Sequence, residues 1–162
     1  MAAQENRLVV EHRGRIARPI QEVQRQFGDM HHHANNRVHK ALDIKVIADD
    51  GTTCRYTFDV RILGLRQHDE VELTRRKDGS LYAETVSGTN VGTRNTVTFK
   101  PDGKDATIVH FQLDAPVSGF KRLIKPLFAM GVRREVRKAF KEDRHDLEVV
   151  GYPRKAEATK AA

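Results

Sequence analysis

The sequence predicts one α+β domain: an antiparallel sheet of about seven strands, two short helices after the first strand, and a long C-terminal helix packed across the sheet. Three observations predict this class. A strand pattern opens the chain, six further strand patterns joined by tight turns fill its middle, and a helical pattern closes it. Because strands joined by tight turns pair antiparallel, the middle of the chain forms one twisted sheet.

The N-terminal part predicts one strand followed by two short helices. From Arg7 onward apolar and polar residues alternate, which is typical of a strand with one buried face. Pro19 ends this strand and suits the first turn of a helix, which ends at Gly28. Residues 31–42 then predict a second short helix or helical turn. The buried edge of the first helix consists of Ile20, Val23 and Phe27.

Residues 43–116 predict six strands. Alternation is cleanest over residues 53–64, where one face carries large and partly aromatic side chains. Asp-Gly pairs between several of the patterns are hairpin signals. The six strands are predicted at residues 43–48, 53–64, 70–74, 81–87, 93–100 and 106–113.

Residues 118–150 predict an amphipathic helix, because their apolar residues recur three and four positions apart. Pro126 marks the first turn of its long part, and the preceding residues, Gly119 to Lys125, form either a loop or a shorter helical lead-in. Asp143 interrupts the apolar stripe. The stripe consists of Phe120, Leu123, Ile124, Leu127, Phe128, Val132, Val136, Ala139, Phe140 and Leu147. The opposite, solvated face consists of Arg133, Arg134, Arg137, Lys138, Lys141 and Arg144.

The length and composition predict a single cytoplasmic domain. At 162 residues the chain is large enough to bury a hydrophobic core. We predict that the domain spans residues 7–150 and that residues 1–6 and 151–162 are flexible ends. No stretch approaches the ~20 apolar residues of a membrane-spanning helix, and no secretory pattern opens the chain. The one cysteine, Cys54, cannot form an internal disulfide, which agrees with a reducing compartment.

The net charge of +7 raises nucleic acid or an anionic membrane surface as a partner. Acidic residues are interspersed along the chain, however, and the basic excess is greatest on the outer helix face and over residues 154–160. No basic strand carries the interleaved aromatic residues that stack on bases. The pattern therefore favours a solvated basic surface over nucleic-acid binding.

The order of elements resembles the helix-grip fold of the START-like superfamily, also called SRPBCC, which includes lipid-transfer domains, polyketide cyclases and the catalytic domain of Rieske oxygenases. The resemblance covers residues 7–150. Its carriers are "RIARPIQEVQRQFGD", where the first strand passes through a proline into the first helix, the glycine-rich "VSGTNVGTRNTVTF", and the final "KAFKEDRHDLE". The resemblance implies a cavity between sheet and terminal helix that takes a hydrophobic or amphipathic molecule such as a lipid, sterol or aromatic polyketide.

The residue pattern supplies a lining for such a cavity, with polar groups that would orient a ligand. The alternative is that the same apolar residues pack against each other as a closed core. The candidate ligand-binding residues are Tyr56, Phe58, Val60, Tyr82, Phe111, Leu127, Phe128 and Phe140.

A histidine cluster, His31, His32, His33 and His39, follows the first helix. Imidazole is a common metal ligand. In Rieske oxygenases two histidines and an aspartate on the last helix hold iron, and by resemblance the ligands here would be His33, His39 and Asp143. Five residues separate His33 from His39 instead of that family's four, and a single cysteine excludes a Rieske cluster. We therefore predict no resident cofactor, with iron or zinc at these three residues as the alternative.

The sequence leaves two functions open. The first is a carrier or sensor that binds a hydrophobic small molecule. The second is a cyclase, dehydratase or hydrolase that uses the same cavity, with Asp143 and His39 as candidate catalytic groups. The further candidates for converging polar groups are His33, Tyr56 and Arg55. Two further alternatives remain: Asp143 forms an ion pair with Arg37 or a strand arginine, and the basic helix face binds a protein partner.

Overall fold

The computed structural model describes residues 6–154. Seven strands, four helices and a π-helical turn follow in the predicted order. The strands are β1 (Arg7–Ile16), β2 (Asp43–Asp49), β3 (Thr53–Ile62), β4 (Leu65–Arg75), β5 (Leu81–Gly88), β6 (Arg94–Pro101) and β7 (Thr107–Pro116). The helices are α1 (Ile20–Gly28), α2 (Met30–Asn36), α3 (Phe120–Leu123) and α4 (Lys125–His145), and the π-helical turn is Asp146–Val150.

The seven strands form one antiparallel sheet in the order β1-β7-β6-β5-β4-β3-β2. The predicted α+β architecture is therefore confirmed. Hairpins join β2 through β7 in sequence, and the return of β7 to β1 brings the N-terminal strand to one edge. Register shifts leave one unpaired residue in β2, Ile47, and one in β5, Val86, and each such bulge bends its strand.

The predicted boundary of the fourth strand is wrong, because β4 begins at Leu65 and not at residue 70. Leu63 and Gly64 both have positive φ, 52° and 78°. This pair forms a two-residue turn that lets β3 and β4 pair directly up to Ile62 and Leu65. A Leu-Gly turn carries less of a sequence signal than the Asp-Gly turns elsewhere in the chain.

The C-terminal helical segment consists of three parts, and the first, α3, is the shorter helical lead-in that the sequence left open beside a loop. Ile124, at φ −107° and ψ 21°, separates α3 from α4, and Pro126 lies in the first turn of α4 as predicted. Of the predicted apolar stripe, Phe128, Val132, Phe140 and Leu147 are buried, whereas Phe120, Leu123 and Leu127 are exposed. The break at Ile124 changes which side of the chain faces the sheet.

Three clusters of buried apolar residues hold the helices on the sheet. In one, Val10 of β1 packs with Val132 of α4. In the second, Met30 of α2 packs with the central strands, and in the third Phe140 and Leu147 pack with the end of β1. The helices thus cover one face of the sheet.

The chain after the π-helical turn is attached to the domain. The Tyr152 hydroxyl donates to Asp29 Oδ2 over 2.8 Å, and Arg154 pairs with the buried Asp146. Residues 151–154 of the predicted flexible C-terminal end are thus held against α2 and the π-helical turn, and Asn6 of the predicted N-terminal end accepts a hydrogen bond from Val117. The rest of both predicted ends, residues 1–5 and 155–162, lies outside the described residues. None of the described helices is long and apolar enough to cross a membrane.

Candidate functional site

A cavity of about 300 Å³ lies between the sheet and α4. Its walls come from β1, β2, β3, β6 and β7, from α1, α2 and α4, and from the loop after α2. Most of the side chains that line it are apolar. A group of polar side chains from α2, the loop and α4 lies together on one part of the wall, so the cavity combines an apolar body with a polar region.

The structure brings five of the predicted ligand-binding residues to this cavity: Tyr56, Phe58, Val60, Phe111 and Phe140. The first three alternate along β3 and therefore share one face of the sheet. Burial raises the pKa of Tyr56 well above its ordinary value, so its hydroxyl remains a hydrogen-bond donor.

Three predicted ligand-binding residues are not in the cavity wall. Tyr82 lies on β5, where its hydroxyl donates to Glu84 over 3.1 Å and the Arg76 guanidinium lies over its ring. Phe128 packs in the core between α4 and β1. Leu127, one position earlier, is turned about 100° around the helix and faces solvent.

The sequence interpretation missed further lining residues, most of them on elements that carried no ligand-binding candidate. Leu113 is the exception, since it alternates with the candidate Phe111 on β7. Val97 had a usable signal, since it alternates with two threonines on β6. The missed apolar residues include Phe27, Met30, Leu42, Ile44, Val97 and Leu113.

The polar region of the cavity is built around Asp143. His33 Nε2 lies 3.0 Å and His39 Nε2 3.6 Å from Asp143 Oδ1. His39 Nδ1 also lies 3.4 Å from a Glu142 carboxylate oxygen. Asp143 accepts a further hydrogen bond of 3.1 Å from the Gln26 amide. The His33 and His39 imidazoles and the Asp143 carboxylate are buried, whereas Glu142 is only partly buried.

The left-handed conformation of Arg37 explains why His33 and His39 converge despite their spacing. Arg37 ends α2 at φ 47° and ψ 47°, and the chain then reverses so that His39 returns over His33. The two imidazole rings lie 5.0 Å apart. A continuous helix would place residues six apart on different faces, so helical spacing could not predict this contact.

A backbone contact on the Nδ1 side of the ring sets the orientation of His33. Its Nδ1 lies 2.7 Å from the backbone carbonyl oxygen of Asp29. Because a carbonyl oxygen only accepts, Nδ1 donates to it, and Nε2 is directed at Asp143. His32 faces the other way, with its Nε2 2.7 Å from Asp146, so it does not enter the cavity. His31 is exposed, 3.8 Å from Asp49.

A second layer holds the polar region in place. Gln26 donates to Asp146 as well as to Asp143, at 3.1 Å in both cases. The Asp146 carboxylate also lies 2.7 Å from His32 Nε2 and forms an ion pair with Arg154. Neither Gln26 nor Asp146 was among the sequence candidates. Asp146 follows Asp143 by three positions, which is the spacing of neighbours on one helix face and was a usable signal.

Burial and charge act in opposite directions on these groups. Burial by itself raises the pKa of Asp143, but His39, His33 and the Gln26 hydrogen bond outweigh it and lower that pKa overall. Burial alone lowers the pKa of His39, but Asp143 and Glu142 outweigh it and raise that pKa overall. Asp143 is therefore held as a carboxylate by the histidines and not by an arginine, as one sequence alternative supposed.

Two other sequence candidates lie outside the polar region. Arg55 is exposed on β3 and pairs with Glu70 at 2.8 Å. Arg37, the proposed arginine partner of Asp143, is also exposed. Tyr56 does line the cavity, on its sheet side. The polar region therefore consists of the two histidines with Asp143 and Glu142.

The donor set also fits a metal ion. One ligand atom from each of His33, His39 and Asp143 lies within 4.8 Å of the others. Two imidazoles and one carboxylate are a ligand combination that iron and zinc accept, with metal to nitrogen distances of about 2.0–2.1 Å for zinc. The Asp29 carbonyl that orients His33 is the outer partner that such ligands require.

The fold and the cavity define this chain as a helix-grip protein, in which a bent antiparallel sheet and a long C-terminal helix enclose a pocket. Comparison with solved structures shows the START-like, or SRPBCC-like, fold. The protein TTHA0849 of Thermus thermophilus aligns with a TM-score of 0.77 at 18% identity, covering 85% of this chain and 94% of that one. Comparison of the sequence with protein families and with curated proteins finds no match.

Two further solved structures align with most of this chain. A START superfamily protein of Mycobacterium smegmatis aligns with a TM-score of 0.67 at 17% identity, covering 86% of this chain and 99% of that one. The Zhui aromatase/cyclase of Streptomyces sp. R1128 aligns with a TM-score of 0.69 at 9% identity, covering 90% and 98%. At these identities the likeness concerns the fold.

Proposed function

We propose that this protein binds a hydrophobic or aromatic small molecule in the cavity between the sheet and α4, as a carrier or sensor. The observation that carries the proposal is the cavity itself, which has about 300 Å³, a mostly apolar wall and one polar region. Small-molecule sites have this construction, with apolar walls for affinity and a few polar groups for orientation.

The polar region restricts the chemistry of the ligand. Asp143 is a carboxylate acceptor at the wall, and Tyr56 supplies a hydroxyl donor on the sheet side. A ligand with an apolar or aromatic body and a hydroxyl group would bury the body against β3 and donate its hydroxyl to Asp143. A ligand carboxylate at the same place would meet two acidic side chains, since Glu142 also lines the wall.

Mass spectrometry tests this proposal. The protein is purified without added ligand, measured under native conditions, and then denatured and extracted for organic molecules. We expect a bound apolar or aromatic molecule with a hydroxyl group at near-stoichiometric level, or uptake of such a molecule from an added mixture. A protein that carries none and takes up none from hydroxylated aromatics and lipids would contradict the proposal.

The contact between His39 and Asp143 favours a second candidate, an enzyme of the cyclase, dehydratase or hydrolase type. An acid and a base at one cavity wall can move a proton to and from a bound substrate. The aromatase/cyclase with the same fold supports this choice of reaction class. The test is whether a bound molecule changes mass or structure during incubation with the native protein and stays unchanged with Asp143→Asn.

The convergence of His33, His39 and Asp143 favours a metal-dependent form of the same enzyme. A divalent iron or zinc ion there would act as a Lewis acid on a bound oxygen atom. Elemental analysis after purification in metal-supplemented medium tests it. We expect stoichiometric metal that is lost in His33→Ala and kept in the matched control His31→Ala, because His31 is exposed and directed away from the cluster. Equal metal content in both variants, or none in the native protein, would contradict a site here.

A further inference from the structure

An exposed apolar surface runs along α3 and the first turns of α4. Phe120 is 64% exposed, Leu123 81%, Leu127 48% and Met130 58%. No residue of α3 is buried. Leu63, in the turn between β3 and β4, is also exposed and lies against Gly131 of α4, which widens the apolar surface. Soluble domains rarely expose so many large apolar side chains together unless they bind something there.

A basic groove continues this apolar surface along α4. Met130 lies at one end of the groove and is the shared residue of the two surfaces. Among the described residues, no carboxylate forms an ion pair with any basic residue of the groove. The basic residues are Arg133, Arg134, Arg137, Lys138 and Lys141. This combination of apolar and unpaired basic side chains is typical of segments that lie on an anionic bilayer.

The same groove reaches the ligand cavity. Lys138 lines both the groove and the cavity, and Glu135 on the same helix also lines the cavity. Because Lys138 is exposed, the cavity reaches the surface at this residue, beside the basic groove. A molecule leaving a bilayer at this place would have a short path into the cavity.

We propose that α3 and the N-terminal half of α4 dock on an anionic phospholipid bilayer. The apolar side chains from Phe120 to Met130 enter the interface, and the groove from Arg133 to Lys141 contacts the lipid phosphates. Docking brings the cavity to the membrane, so the bound molecule is exchanged with the bilayer. The exchange step rests on the proposed ligand binding, whereas the docking step does not.

The charges favour a bilayer over the other occupants of an apolar surface. A second copy of this chain seated on the surface would bring two sets of unpaired arginine and lysine side chains together, which is unfavourable. Nucleic acid would use the basic groove but would leave Leu123 and Leu127 exposed, because aliphatic side chains do not stack on bases. An anionic bilayer matches both parts of the surface, because its acyl chains can bury the apolar side chains and its phosphates can pair with the basic ones.

Vesicle co-sedimentation tests the docking step. The full chain is mixed with vesicles of phosphatidylcholine alone or with about 30% phosphatidylglycerol, at low and at moderate salt. We expect binding to the anionic vesicles that weakens with salt and a loss of at least about tenfold for Leu123→Ser/Leu127→Ser. The matched control Val9→Ser/Ile47→Ser removes two exposed apolar residues of β1 and β2 and should bind like the native protein.

A charge reversal tests the second half of the surface. Arg133→Glu/Arg134→Glu should abolish binding, whereas Arg13→Glu/Arg25→Glu, with the same change in net charge on β1 and α1, should lower it about twofold or less. Circular dichroism confirms that each variant is folded. Equal losses in the surface and control pairs, equal binding to neutral vesicles, or a dimer in sedimentation equilibrium that Leu123→Ser/Leu127→Ser dissociates would overturn the proposal.

A cavity-filling variant separates docking from ligand binding. Val60→Phe fills the cavity from β3 and leaves α3 and the basic groove unchanged. We expect this variant to bind anionic vesicles like the native protein while it carries no ligand. If the native protein carries no ligand and takes up none but still docks, the proposed function fails and the docking step stands. If it carries ligand but does not sediment with anionic vesicles, the reverse holds.

Discussion

The ring of Phe140 lies against Gly14, in the space that a side chain at position 14 would fill. Gly14 is the third residue from the end of β1, and Phe140 is buried near the end of α4. The ring also meets His12 edge to face, with centroids 4.7 Å apart. This contact seats the C-terminal half of α4 on the edge strand and thereby sets one boundary of the cavity.

Gly14→Ala should lower the free energy of unfolding by about 1–3 kcal/mol, because the added methyl group overlaps the Phe140 ring and forces the helix or the strand to move. Phe140→Ala should cost about 3–5 kcal/mol, since it removes a buried aromatic side chain and leaves a void. Urea denaturation of both single variants measures these changes.

The double variant Gly14→Ala/Phe140→Ala is the control for this contact. With the ring absent, the methyl group has room, so the cost of Gly14→Ala should fall to a few tenths of a kcal/mol. An unchanged cost in the Phe140→Ala background would mean that the strand itself, and not the ring contact, requires glycine. No loss of stability in Phe140→Ala would contradict its buried position.

Val60→Phe should abolish ligand uptake, because the larger side chain extends from β3 into a cavity of only about 300 Å³. Val86→Phe is the matched control, since it makes the same change at an exposed strand position that does not line the cavity. Displacement of a neutral fluorescent probe measures uptake. Equal affinity of the two variants would show that the ligand binds elsewhere.

Asp143→Ala should lower the free energy of unfolding by about 3–5 kcal/mol, because it removes the carboxylate beside the buried His33 and His39 imidazoles and one of the two acceptors of Gln26. Asp114→Ala is the control: its partner Arg7 is partly exposed, and the loss should be below about 1 kcal/mol. Thermal and urea denaturation compare the two. Equal costs would mean that the Asp143 cluster is open to water.

Stability at acid pH should depend on Asp49. The Arg75 guanidinium, at 2.8 Å, lowers the pKa of Asp49 to about 2, below its value in the unfolded chain of about 3.9. The native state thus binds fewer protons, and the stabilisation is present above about pH 4 and is lost as the pH falls toward 2. We expect Asp49→Asn to be less stable than the native protein at pH 6, by about 1–2 kcal/mol, with the difference shrinking toward pH 2.

The measurement is urea denaturation of both proteins between pH 2 and 6. Asp105→Asn is a suitable control, because Asp105 is exposed and, among the described residues, its side chain forms no ion pair or hydrogen bond. A difference between native protein and Asp49→Asn that stays constant with pH would contradict the role of the Arg75 pair.

Cys54 should resist thiol reagents. It is fully buried, and burial raises its pKa to about 11, so almost no thiolate is present at pH 7. We expect Ellman's reagent to modify it only as fast as the protein opens, and at full speed in urea. An exposed control, Ser118→Cys, should react at once in the native state. Rapid modification of Cys54 in the native protein would contradict its burial in the sheet.

The sequence predicted most of the architecture because the relevant signals are local. Alternating apolar and polar residues and the Asp-Gly turns predicted the strands and hairpins, most clearly over residues 53–64. Apolar residues three and four positions apart predicted α4. The side of β3 that carries Tyr56, Phe58 and Val60 was also predictable, since neighbouring side chains of a strand point to opposite faces.

The sequence by itself determined the elements, their order and the chemical types at the site; the tertiary structure decided which residues meet. The left-handed turn at Arg37 brings His39 over His33, and the break at Ile124 separates the exposed Leu123 from the buried face of α4. Neither feature can be predicted from periodicity, because periodicity predicts the face on which a residue lies only within an uninterrupted helix or strand. The cavity also depends on how far α4 lies from the sheet, and that distance is set by remote contacts such as Phe140 on Gly14.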